Sequence, residues 1–145
     1  SVVQNKQYQE LQVVQIKDQL MLLMELVDSF SITANIDAIT FDPILPKDIY
    51  DNFAKFTLFS FANYTFESII LTEEYISFEA GFGEENIGSI VKIPYIAIFQ
   101  IIIDESVLYI NPASTMVIKK IEEIEQSQKS KNAFILNVKN KNLID

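Results

Sequence analysis

The chain has 145 residues, 49% of them apolar and 12% aromatic, enough to bury one substantial core, and its net charge is −9. It has no cysteine and no histidine, which excludes disulfides, thiolate chemistry and zinc–sulfur sites, and removes the commonest general base and metal ligand. All eleven cations are lysines, and the lack of arginine together with the acidic balance argues against nucleic acid and against an anionic membrane surface as partners.

The charge is uneven: residues 1–118 hold five lysines against sixteen acids, and residues 119–145 hold six against four. An acidic body with a mildly basic end suggests two working parts. Ser1 to Glu10 is polar, with no cationic cluster before an apolar run, so no signal peptide is expected there. The apolar run Leu20 to Met24, which no other run exceeds, falls far short of the about eighteen residues that a membrane span needs. A cytoplasmic setting is the expectation.

In chain order, Tyr8 to Phe30 reads as one long helix. Ile16, Leu20, Leu23, Val27 and Phe30 form one stripe, Val14, Met21 and Met24 a second, and Leu22 and Leu26 a third. A helix apolar all round over Leu20 to Met24 has to be covered on more than one side, by its own body or by a second chain. A homodimer is therefore expected, with Ile16, Leu20, Leu23, Met24 and Val27 at its interface.

From Thr33 the period changes to two. TANIDAITF (Thr33–Phe41) alternates and stops at Asp42-Pro43, a turn signal, and PKDIYDN (Pro46–Asn52) reads as a polar connector. AKFTLFSF (Ala54–Phe61) puts Phe56, Leu58 and Ser60 on one face and Thr57, Phe59 and Phe61 on the other. FESIIL (Phe66–Leu71) and EYISFEAGF (Glu74–Phe82) follow as strands around a tight turn at Thr72–Glu74. After a turn at Gly83–Asn86 comes IGSIVKI (Ile87–Ile93), and AIFQIII (Ala97–Ile103) and VLYI (Val107–Ile110) make a hairpin. The pattern predicts a mainly β protein of the α+β class: a long N-terminal helix, then about six antiparallel strands in meander order, as a strongly bent sheet or small barrel. From Ser114, as N-cap, a helix is expected to run to about Gln128. The expected organisation is 1–112 as the helix and barrel, 113–132 as a charged helical linker and 133–145 as a C-terminal tail.

Little here suggests catalysis, a cofactor or a metal. The acidic pairs Glu73-Glu74, Glu84-Glu85, Asp104-Glu105 and Glu122-Glu123 fall in turns or on an exposed helix, and adjacent residues of a strand point to opposite faces. Gly81, Gly83 and Gly88 fit no phosphate-cradling pattern. With no nucleophile–base pair, the chain reads as a non-enzyme. Its phenylalanines, among them Phe56, Phe59, Phe61, Phe66, Phe78, Phe82 and Phe99, are many for one small core, which leaves some to line a groove.

The order of these segments resembles the SspB (stringent starvation protein B) adaptors. IDAITFDPILP (Ile36–Pro46) resembles that family's extended D…P…VP segment. FEAGFGE (Phe78–Glu84) is similar to its F-N-A-R-F-G-G, with Gly81 in place of the arginine. IPYIAIFQIII (Ile93–Ile103) and YINP (Tyr109–Pro112) resemble the strands that close the family's body. AFILNVK (Ala133–Lys139) resembles the tail end that docks on the ClpX unfoldase.

The resemblance implies an SH3- or Sm-like barrel and an adaptor of the ClpXP protease. Such an adaptor binds the ssrA-type tag that trans-translation adds to stalled polypeptides, in a hydrophobic groove expected at Phe59, Phe61, Phe78, Ala80, Phe82 and Tyr109. The implied unfoldase-binding tail is Ala133, Phe134, Leu136, Val138 and Lys139, meeting the zinc-binding domain of ClpX. The alternative is a structural or regulatory dimer of the same fold whose tail packs on its own body.

Overall fold

The computed structural model describes residues 1–116. Helix α1 spans Lys6–Leu26, and the Asn5 side chain caps it by accepting the Tyr8 N–H at 2.9 Å. Its buried stripe is Gln12, Ile16, Leu20 and Leu23. The helix stops four residues before the expected Phe30, because Phe30 opens strand β1 (Phe30–Asn35), in which Phe30, Ile32 and Ala34 are buried at period two. Phe30 lies opposite Phe61 with ring centroids 4.9 Å apart, a cross-strand pair that one more helical turn would forfeit.

A 3₁₀ turn at Ile36–Ala38 then splits the stretch expected as one strand. Asn35 makes that turn by accepting the Asp37 N–H at 3.1 Å, the local alternative that Asn offers a strand. Strand β2 (Thr40–Asp42) follows and ends at a cis Asp42–Pro43 bond. The polar connector holds a short helix, α2 (Lys47–Tyr50), with Ile49 and Tyr50 packed against the core. Strand β3 (Phe56–Phe61) keeps the expected alternation, with Thr57, Phe59 and Phe61 inward.

FESIIL is mostly not a strand. Asn63–Glu67 forms helix α3, leaving only Ile70–Leu71 as β4. Strands β5 (Tyr75–Phe82), β6 (Ile87–Pro94), β7 (Ile98–Ile103) and β8 (Ser106–Ile110) run as expected. Gly83, at φ +74°, and Asn86, at φ +51°, supply the two left-handed residues of the β5–β6 turn. Ser114 lies inside a 3₁₀ turn at Pro112–Thr115 capped by Asn111. The rest of the expected 114–128 helix and the tail residues Ala133, Phe134, Leu136, Val138 and Lys139 lie outside the described residues.

The strands do not form the expected SH3- or Sm-like barrel or bent meander. They assort into two four-stranded antiparallel sheets, neither closed into a barrel nor strongly curled: β3-β1-β7-β8 (the first sheet) and β2-β6-β5-β4 (the second). The cause is the pairing of β1, which takes β3 on one edge and β7 on the other, while the turn at Ile36–Ala38 carries the next strand into the second sheet. The second sheet ends in strands of three and two residues, too short to hold a closing seam.

Both sheets and α1 bury their inner faces in one core. Phe78 joins the two sheets, its ring centroid 4.7 Å from that of Phe61 and 5.6 Å from that of Phe59. A second aromatic group closes one end: Phe41 stacks on Phe53 at 5.6 Å, and Phe82 meets both edge-on. No helix among the described residues is long and apolar enough to cross a membrane.

Candidate functional site

The core takes most of the residues expected at the groove. Phe59, Phe61 and Phe78 are buried between the sheets. Phe82 belongs to the Phe41–Phe53 aromatic group. Tyr109, on β8, turns toward α1, where its hydroxyl lies within hydrogen-bond reach of the Gln12 side chain and, at 2.8 Å, of that of Gln15. Phe78, Ala80 and Phe82 do share one face of β5, but it is the inner one, and of the expected set only Ala80 borders an open groove.

That groove, about 580 Å³, crosses the outer face of the second sheet. The register sets its floor: Gly81 faces Gly88, and in the neighbouring row Asp42, Ile90 and Glu79 lie side by side on β2, β6 and β5. Directly opposed residues of antiparallel strands put their side chains on the same face, so this row reads carboxylate, isoleucine, carboxylate. At Gly81 the Asn86 side chain occupies the place a side chain would take, because a Cβ there would stand 1.8 Å from Asn86 Oδ1. At Gly88 a Cβ would meet nothing within 4 Å.

Hydrogen bonds tie both walls to the sheet. On one side is Tyr64 of α3, whose hydroxyl donates to the Glu79 carboxylate. Beneath it the Ser68 hydroxyl accepts the Glu79 N–H at 2.9 Å and donates to the Thr65 carbonyl at 2.7 Å. On the other side is Pro43, whose carbonyl accepts from the Ser89 hydroxyl at 2.9 Å. The bond to Glu79, and then that carboxylate's charge, raise the Tyr64 phenol above its usual range, so it stays protonated and donating. Beyond the Tyr64–Glu79 bridge the surface continues into a smaller depression of about 480 Å³ over Ile70, Ser77 and Glu67.

A smaller cavity of about 390 Å³ lies on the far side of β2, between Ile39, Phe41, Leu45 and Tyr50. The Thr40 hydroxyl at its border is buried with no hydrogen-bond partner among the described residues.

The residues expected at a dimer interface divide by depth. Ile16, Leu20 and Leu23 lie in the chain's own core, and Met24 and Val27 are partly buried against it. The apolar side chains that α1 leaves to solvent are Leu11, Val14, Met21, Leu22 and Leu26. Sequence reasoning missed Asp42, Tyr64, Glu79 and Ile90. The alternation that placed Phe78, Ala80 and Phe82 together also places Glu79 and Gly81 on the opposite face, and that signal was available. Comparison of the chain with family models, with curated proteins and with solved structures finds no match.

Proposed function

We propose that the protein is a non-catalytic, dimeric peptide-binding adaptor. In this reading the groove on the second sheet holds an extended segment of another polypeptide, and the C-terminal end brings that polypeptide to a partner. The observation that carries the reading is the groove itself, low-floored at Gly88 and walled by Tyr64 and Pro43, both tied to the sheet by hydrogen bonds. Such a site can hold a chain through side-chain contacts and main-chain polar groups without reacting with it. The resemblance to SspB makes the ssrA-type tag the first candidate for the bound segment and the zinc-binding domain of ClpX the first candidate for the partner. Dimerisation through the exposed Leu22 and Leu26 side of α1 would present two grooves and two tails together, which raises the effective concentration at a partner.

Gly88→Gln tests the groove, because its side chain fills the channel where nothing has to move aside. Titration with a panel of tag peptides, followed by fluorescence anisotropy, should show at least about tenfold weaker binding in Gly88→Gln, a loss of roughly 1.4 kcal/mol. A wild-type protein that ignores every peptide sinks the proposal in favour of the structural dimer. A chain ending at Asn132 should bind tag peptide normally and fail to accelerate ClpXP degradation of a tagged substrate at low substrate concentration.

A further inference from the structure

The groove carries a charge pattern that narrows what it accepts. We infer that its ligand is an extended segment bearing a lysine or arginine, whose side chain lies along the Asp42–Ile90–Glu79 row. The inference rests on reading the groove as a peptide site and goes beyond it to the class of peptide.

Three observations meet in that row. Neighbouring strands stand about 4.8 Å apart, so Asp42 and Glu79 flank Ile90 with their strands about 10 Å apart. The ion pairs among the described residues are Lys17–Glu73, Lys47–Asp51 and Lys55–Asp37, so among these residues neither groove carboxylate is ion-paired, and Lys92, in the next row of the same face, lies over the Tyr75 ring. Between them Ile90 is 41% exposed, and beside them the Tyr64 side chain is 67% exposed.

A carboxylate next to an exposed isoleucine suits an amphipathic cation, whose methylene stem covers the apolar surface while its head reaches the charge. The exposed tyrosine ring adds a face that attracts a cation. A glutamate or aspartate at the same place would meet two like charges. None of the residues that line the groove is positively charged. The charge preference of this groove is therefore set by Asp42 and Glu79.

The test is an array of random ten-residue peptides probed with the full-length protein. Retained peptides should be enriched in lysine and arginine over glutamate and aspartate by about threefold to tenfold, the range that one or two solvent-exposed ion pairs supply. The enrichment should shrink as salt is raised. An acidic protein attracts cations everywhere, so position has to be separated from net charge. The double variant Asp42→Asn, Glu79→Gln should lose the enrichment. Asp104→Asn, Glu84→Gln, which removes the same charge elsewhere, should keep it. Retention of peptides without cationic enrichment, or equal loss in both double variants, overturns the inference and leaves the groove a peptide site. If no peptide is retained at all, the peptide-site reading itself fails. In the protein alone, a carbodiimide cross-link from Asp42 or Glu79 to Lys129, Lys131, Lys139 or Lys141 would assign the groove to the chain's own end and overturn an external ligand.

Discussion

The two sheets are alike inside and different outside. Inside, each offers phenylalanine and isoleucine to one core, and Phe78 of the second sheet packs on Phe59 and Phe61 of the first. Outside, the first sheet carries Leu58, Val107 and Ile110 in the open, with serine and threonine between them and no charged residue within its strands. The second has the Asp42–Ile90–Glu79 row between two tied walls. An apolar surface of the first kind offers area but little discrimination. Charged groups fixed around an apolar strip select by chemistry as well as by shape. On the proposed reading the groove is where a ligand is read, and the apolar surface of the helix and the first sheet is where area alone is buried.

The largest expected effect tests the shared interior. Phe78→Ala and Phe61→Ala should each destabilise the protein by about 3–5 kcal/mol in denaturant unfolding, the usual cost of emptying a buried phenylalanine site. Leu58→Ala, on the outer face of the same strand as Phe61, should stay within about 0.5 kcal/mol. A small effect at Phe78 with a large one at Phe61 would mean that the sheets do not depend on one core, and the comparison would break.

A second test separates the surfaces. Leu22→Asp combined with Leu26→Asp should convert a dimer to a monomer in light scattering, with the melting temperature of the separated chain unchanged within a few degrees, because both side chains are exposed. Peptide binding per chain should persist. Gly88→Gln should do the reverse, abolishing binding and keeping the dimer. Leu23→Asp would be a poor choice, since Leu23 lies in the core of its own chain and a charge there costs the fold. If the wild-type protein is already monomeric at micromolar concentration, the dimer proposal fails and the groove proposal stands alone.

How far the sequence could be read follows from which forces were local. Strands β5 to β8 alternate cleanly and are bounded by turn residues, and their limits were legible to within about a residue. The end of α1 was not, because Phe30 satisfies a helical spacing from Val27 and a strand spacing to Ile32 at once, and only its partner Phe61 decides. In FESIIL the decision was partly local but unseen: Ser68 donates to the nearby Thr65 carbonyl and accepts the N–H of Glu79 from β5, in a turn that replaces a ladder. The assortment into two sheets depends on β1 pairing on both edges, a non-local choice that alternation does not encode. At the groove, the pattern showed which residues of β5 share a face. Choosing the inner face came from supposing that so many phenylalanines could not all be buried, whereas two sheets make room for a core and a separate aromatic end group.

The smallest expected effect concerns the edge of the second sheet next to the groove's far depression. Tyr95 is fully buried, and its hydroxyl donates to the Thr72 carbonyl at 2.6 Å, holding the turn that joins β4 to β5. Burial, then the negative charge of Glu73 and the neighbouring Tyr75, push its phenol up, well above the ordinary tyrosine value. The raised group fixes the sign of the pH dependence. Below a pH of about 10 the phenol is neutral in both folded and unfolded chains, and its contribution is fully present. Above that the unfolded chain ionises first and binds fewer protons than the folded one, so stability falls as pH rises toward the folded value. Tyr95→Phe should therefore cost about 1 kcal/mol at neutral pH, the loss of one buried hydrogen bond. It should also show a shallower decline between pH 9 and pH 11 in about the range where tyrosine titrates. Tyr109→Phe, whose phenol is also raised by burial but is held down in part by the Gln12 side chain, should flatten the alkaline limb less. Parallel alkaline limbs for wild type and Tyr95→Phe would show that this turn opens before the phenol ionises, and that the second sheet's edge is the looser of the two.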